Sequence, residues 1–223
     1  MLDDRLLAAV RGHVTQVETF HDLDIGHLDA VTTVSAAFDG CRVGLGVAEA
    51  ADGEIVAVDG VVWRIPSDGT PVNAPADLGL PFAVAASGGS SINVPLSAGA
   101  DMASITSTID EIRAMVRAAG APVVALRIDG TFSDVLLRSE PRQERPFQDL
   151  SHVLEHEVRF AFEEWSGTLV GFRFPDVRDD IAIPGLHLHG ISADRRSGGH
   201  CHHATVKQAT LTAWIDDVTF VVP

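Results

Sequence analysis

The sequence predicts an α+β protein. Its N-terminal part is a strand-rich mixed β-sheet with one or two helices, packed against a β-barrel-like C-terminal part. Three observations carry this. Short β-branched runs, separated by Gly, Asp and Pro turn signals, fill most of the 223 residues. Interior helical periodicity is clear in one segment only, from Ser104 to Val116. The last third of the chain returns to strand signals throughout. The division falls near residue 145, giving parts 1–145 and 146–223 that pack intimately and are compatible with one domain.

The elements follow in order. Leu2, Leu6, Leu7, Val10 and Val14 fit one face of an opening helix. Residues 43–47 and 55–65 are β-branched runs, the second broken by Asp59-Gly60, a hairpin turn signal. Ser67, Asp68 and Gly69 close that unit, and residues 74–86 carry Pro75, Pro81 and an apolar run. Residues 87–91 read as a loop. Ser104 caps the interior helix, with Ile105, Ile109, Ile112, Met115 and Val116 on its apolar face and Gly120 and Pro122 ending it. Residues 123–128 read as a buried strand turned by Asp129-Gly130, followed by a strand over 132–137 and a proline-bearing loop over 139–149. Strands are then expected over 158–165, 167–174, 185–192 and 200–206, with one or two more within 211–222.

Composition limits the function. A formal charge of −15 lacks the basic footprint that nucleic acid requires. An anionic substrate would need a local positive site set against that field, which a metal ion and an arginine would supply. Two cysteines, Cys41 and Cys201, make no disulfide framework. Cys201 reads as a small buried residue, facing away from its neighbour His200. The first residues have no secretory pattern, and no apolar run is long enough to span a membrane. The expectation is a cytoplasmic protein with no membrane or nucleic-acid partner, compatible with a homodimer.

His187-Leu188-His189 and Gly198-Gly199-His200 carry the chemistry. Alternate strand residues share a face, so His187 and His189 project together. The glycine pair permits a turn, and a returning strand brings His200 back to them. Three imidazoles with an open fourth position form a ligand set for a catalytic divalent metal, most often zinc, though other divalent transition metals also fit. The competing reading is a set of strand histidines with no ligand.

The segment from Gly167 to His200, "GTLVGFRFP…IPGLHLHGISADRRSGGH", resembles the zinc-binding segment of the alpha-acetolactate decarboxylase family. "VVALRIDGTFSDVLLRSEPRQERPFQDL", from Val123 to Leu150, is similar to that family's arginine-bearing segment, and "VGLGVAEAADGEIVAVDGVVWRIPSDG", from Val43 to Gly69, to its glycine-rich strands. The resemblance implies the same two-part arrangement, with the active site where the parts meet. It implies His187, His189 and His200 as zinc ligands, Arg138 as the active-site arginine and Glu54 as the acid–base group. The residues alone would make Arg138 a surface arginine at a strand end and Glu54 a solvated, turn-adjacent glutamate. Arg127, on the buried strand, reads as the structural partner of a carboxylate.

The function so implied is metal-dependent conversion of 2-acetolactate, a small anionic keto acid, to acetoin and carbon dioxide through an enediolate. Two alternatives stand beside it. One is a related metal-dependent lyase or isomerase acting on another 2-hydroxy-3-keto or β-keto acid. The other is a non-catalytic metal-binding β-protein. Departures from the family pattern keep them open. The family carries a further active-site glutamate in its C-terminal part, and here no glutamate follows Glu164; Asp216 and Asp217 are the carboxylates left in the tail. Gly190 stands where the family has a larger apolar residue, which suggests a wider pocket. His202 and His203 add imidazoles after the third ligand, with His202 on the face of His200. The N-terminal 40 residues are also shorter than the family pattern implies.

Overall fold

The computed structural model describes residues 12–115, 123–176 and 180–221. The first half contributes strands β1 (His13–Val17), β2 (Thr32–Thr33), β3 (Val43–Val47), β4 (Glu54–Val58), β5 (Val61–Ile65), β6 (Val72–Asn73), β7 (Gly79–Leu80), β8 (Phe82–Ala86) and β9 (Ser91–Leu96). The second half contributes β10 (Val123–Ser139), β11 (Val158–Phe162), β12 (Trp165–Arg173), β13 (Leu186–Ser192) and β14 (Gly198–Val221). The helices are α1 (Phe20–Asp24), α2 (Val34–Ala37), α3 (Met102–Met115) and α4 (Leu150–Glu155). The expected strand-rich α+β class is what the chain adopts. None of the described helices is long and apolar enough to cross a membrane.

Strand order through the main sheet is β11-β10-β12-β13-β14-β1-β8-β3-β4-β5-β6. The sheet is mixed, because β1 runs parallel to β14 while the other pairings are antiparallel. In the second half the pairing closes on itself. β10 bonds to β12 on one edge and β14 on the other, and β13 joins β12 to β14. Closure leaves these strands without a free edge, as in a small barrel. Its apolar face, with Leu126, Ile128, Leu169, Leu188 and Leu211, packs under Ile105, Ile109 and Ile112 of α3. Those three isoleucines lie at helical spacing, so one face of α3 supplies the cover. A second cluster joins the halves through Leu45, Val56, Phe82, Val170 and Phe172.

Several expectations change at this level. Val14 lies in strand β1, not on a helix, and residues 1–11 of the expected opening helix lie outside the described residues. The cap of α3 is Asp101, whose Oδ1 accepts from the Ser104 amide at 2.9 Å and the Ser104 hydroxyl at 2.8 Å. The side chains of Met115 and Val116, and the Gly120–Pro122 stop, lie outside the described residues. Ser91, placed in a loop, begins β9 and pairs with Trp214.

Asp129-Gly130 does not turn the chain, and β10 runs straight through it with partners on both edges. A Cβ on Gly130 would meet the Gln208 carbonyl at 2.2 Å, so this glycine permits close approach of two strands. The strands expected at 200–206 and 211–222 are one element, β14. The segment from Leu150 to Glu155, to which the sequence assigns no element, forms α4, capped by Asp149 accepting from the His152 amide at 2.9 Å.

Candidate active site

The β13–β14 hairpin builds the histidine group. His187 and His189 alternate along β13, and His189 stands directly opposite His200 on β14. Gly199 makes this pairing possible. Its φ is +139°, and a Cβ there would meet the Arg138 carbonyl at 2.3 Å. Its lack of a side chain lets β14 close on β10, where His200 pairs in register with Arg138. The Nε2 atoms of His187 and His189 are 3.0 Å apart, and the ligand atoms of the three imidazoles all lie within 4.8 Å of one another.

Their surroundings keep them neutral. Burial, helped by His189, pulls His187 down to about 3. Burial pulls His189 down to about 3 against a hydrogen bond to Ile55. Burial and the nearby Arg138 hold His200 well below its ordinary value. His189 Nδ1 lies 2.8 Å from the Ile55 carbonyl, which assigns its proton to Nδ1 and leaves a lone pair on Nε2.

That Nε2 faces Glu54 Oε2 at 3.3 Å, so an ionised Glu54 sets a second acceptor against the histidine lone pair. His200 Nδ1 is buried with no hydrogen-bond partner among the described residues. Neutral imidazoles, an orphaned ring nitrogen and facing acceptors together fit a cation. Two nitrogens bound tetrahedrally to zinc at roughly 2.0–2.1 Å stand about 3.3 Å apart, close to the His187–His189 separation.

Arg138 sits beside this group near the end of β10, only 8% exposed. Its Nη1 meets Glu54 Oε1 at 2.8 Å and also pairs with Glu140 Oε1; its Nε stands 3.0 Å from Glu157 Oε2. One guanidinium therefore faces three largely buried carboxylates. Buried charge of one sign is costly unless balanced, and a divalent cation among the histidines would balance it. Burial pushes the Glu54 carboxyl above the usual range, with Arg138 and His187 drawing it back. Glu54 begins β4 and pairs in register with Val47 and Ile65, which fixes it on the strand that faces β13.

Glu54, Arg138, Glu140 and the three histidines form one polar wall of a cavity of about 210 Å³. The rest of the lining is apolar. Phe20 and Leu23 come from α1, Leu150, Val153 and Leu154 from α4, and Leu45, Phe82 and Ile183 are among the others. All five residues singled out in the sequence meet here. Glu140 and Glu157 were missed. Glu140 follows Arg138 at i+2, one residue past the end of β10, where continued alternation would put it on the same side. Glu157 comes from outside that segment, and no local pattern marks it.

Two other expectations resolve differently. Gly190 does not widen the cavity. A Cβ there would point at Leu169, Leu137 and Trp165, on the opposite face of β13 from His189. His202 does share the side of His200, with ring centroids 5.3 Å apart, but it pairs with Glu157 at 3.4 Å outside the three-histidine group. His203 faces away and meets Asp134. Arg127 pairs with Asp59 and Asp129, as its strand position suggests. Cys201 is buried beside His200. Backbone pairing puts Asp216 and Asp217 at the far end of β14, against Val123 and His13.

Comparison with known proteins gives a consistent pattern. The family profile for alpha-acetolactate decarboxylase matches residues 14–223. The chain is 33% identical over 185 residues to an alpha-acetolactate decarboxylase of Methanosarcina mazei, a match that takes in 83% of this chain and 63% of that protein. It therefore spans less than two thirds of that relative's length. A Methylococcus capsulatus protein of the same name is 28% identical over 94% of this chain and 85% of its own length. The crystal structure of alpha-acetolactate decarboxylase from Bacillus subtilis strain 168 superposes with a TM-score of 0.84 at 27% identity, covering 95% of this chain and 89% of that one.

Proposed function

Because the chain belongs to the alpha-acetolactate decarboxylase family, we propose that it catalyses metal-dependent loss of carbon dioxide from 2-acetolactate to give acetoin. The observation that carries the reading is the convergence of three neutral imidazoles, Arg138 and buried carboxylates on one wall of an otherwise apolar cavity. His187, His189 and His200 would hold the ion, with zinc the first expectation and another divalent transition metal compatible with the same donors. Bound there, the ion would supply Lewis-acid stabilisation of the oxygen charge that develops during the reaction.

The residues divide the remaining work. Arg138 presents guanidinium donors to the carboxylate and keto oxygens of the substrate, orienting the bond that breaks. As that carbon–carbon bond breaks, carbon dioxide leaves and its electron pair moves onto the neighbouring carbonyl, giving an enediolate. Glu54, or a water it holds, returns one proton to the carbon that lost the carboxylate, and acetoin results. The apolar wall of Phe20, Leu23, Val153 and Ile183 receives the methyl groups and keeps water from the reacting carbon.

The test is incubation of the metal-loaded protein with racemic acetolactate, monitoring carbon dioxide and acetoin. Both products should form together, faster than the spontaneous rate. A protein that binds zinc yet releases no carbon dioxide from this acid overturns the reading.

A further inference from the structure

Arg138 is held on two sides. Its Nη1 meets Glu54 at 2.8 Å and pairs with Glu140, and both glutamates line the cavity. Its Nε stands 3.0 Å from Glu157 Oε2. Glu157 does not line the cavity, and its side chain is buried. It sits between α4, which ends at Glu155, and β11, which begins at Val158. Its other oxygen is taken as well: Oε1 stands 2.5 Å from Arg159 Nε and 3.4 Å from His202 Nε2. Arg138 and Arg159 are direct partners across β10 and β11, where like charges repel. Glu157 bridges them, one oxygen to each Nε. Burial opposes its charge, but Arg159, Arg138 and His202 hold the carboxyl below its usual range. The contact with Arg138 Nε is a close ion pair without hydrogen-bond alignment, so Glu157 acts there through its charge. Arg138 Nη2 makes no hydrogen bond among the described residues and is not fully buried, which leaves it for a substrate oxygen.

We propose that Glu157 is a positioning residue for the decarboxylation: from outside the cavity it holds the Nε side of the guanidinium and so sets how Arg138 presents Nη2 to the substrate. The inference rests on the decarboxylase reading of the cavity, with Arg138 as its orienting arginine. A guanidinium gripped at Nη1 alone can pivot about that grip. A second grip at Nε fixes its plane, and a planar fork selects geometry only when its plane is fixed. A carboxylate free to grip with both oxygens would take a further nitrogen of the fork. Arg159 occupies Oε1, so Glu157 steadies Arg138 through one oxygen and spares Nη2.

The test is a double-mutant cycle on acetolactate turnover by the metal-loaded protein, after subtraction of spontaneous decarboxylation. Glu157→Gln keeps the shape and removes the charge. It should lower kcat about 10–100-fold, with metal content and circular dichroism unchanged. In an Arg138→Lys background the same substitution should cost less than about twofold, because the fork it positions is already gone. A residue that merely stabilises the fold would cost the same factor in both backgrounds, and that result overturns the proposal alone. So does a Glu157→Gln enzyme as fast as the wild type. Glu157→Asp keeps the charge on a shorter stem and guards against a Gln variant that does not fold. It should lose less than Glu157→Gln and show the same dependence on Arg138. A wild type that releases no carbon dioxide overturns this proposal together with the reading beneath it.

Discussion

Arg127 and Arg138 lie on the same strand, β10, and each pairs with more than one carboxylate. The likeness ends there. Arg127 meets Asp59 and Asp129 at 2.6 Å, but those aspartates are about half exposed, at 54% and 43%. Arg138 meets Glu54, Glu140 and Glu157, whose side chains are all under 8% exposed. Water shares the work of balancing the first cluster. In the second, Arg159 also reaches Glu157, but Glu54 and Glu140 have Arg138 as their one arginine among the described residues, and three carboxylates still outnumber two guanidiniums. The difference separates a pin between strands from a site that awaits further positive charge.

The largest expected effect follows from that unbalanced charge. His189→Ala should cost most of the bound metal, measured by elemental analysis of purified protein. It removes the histidine whose Nδ1 is anchored on Ile55 and whose Nε2 faces Glu54. Metal should also stabilise the wild type, raising Tm with concentration; at about 1,000 times Kd the linkage amounts to roughly 4 kcal/mol. Full occupancy in His189→Ala, or a Tm indifferent to metal, would mean that the Arg138 cluster is balanced in another way.

Next in size is loss of turnover at Arg138. Arg138→Lys keeps the positive charge but loses the planar fork that holds several oxygens at once. It should fold and retain zinc while kcat falls by roughly 10²–10³-fold, the usual consequence of losing a donor aimed at developing charge. An unchanged rate would reduce Arg138 to the pinning role of Arg127. Glu54→Gln sharpens the same point. It should keep the metal and lose roughly 10²–10⁴-fold in rate, the range for a general acid. A fast enzyme with Glu54→Gln unaffected would move the proton to another group.

Much of this site was legible because it is local. His187, His189 and the glycine pair before His200 announce a hairpin by alternation and turn chemistry alone. Arg138 and Glu54 had no such signal in their own segments. Their importance came from likeness to a family, and only the pairing of β10 with β14 and the packing of β4 against β13 explain their meeting. The apolar wall was illegible for a physical reason. α1 and α4 have five and six residues, too short for helical periodicity to emerge. Asp129-Gly130 misled because a turn signal and a close-approach glycine have the same letters. Continuous pairing on both edges of β10 decided between them.

The smallest expected effect is at Arg127. Arg127→Gln keeps most of the aliphatic stem and removes both ion pairs. Its partners are about half exposed to water, so solvent screening limits what the pairs contribute. Exposed pairs of this kind contribute about 0.2–1 kcal/mol each, and the loss should shrink as salt is raised. Turnover should not change, because Arg127 does not line the cavity. Denaturant unfolding at low and high salt measures this. A salt-insensitive loss above about 2 kcal/mol would show that Arg127 is desolvated as Arg138 is. The contrast between the two arginines would then lie in how many carboxylates surround each, and not in the water that reaches them.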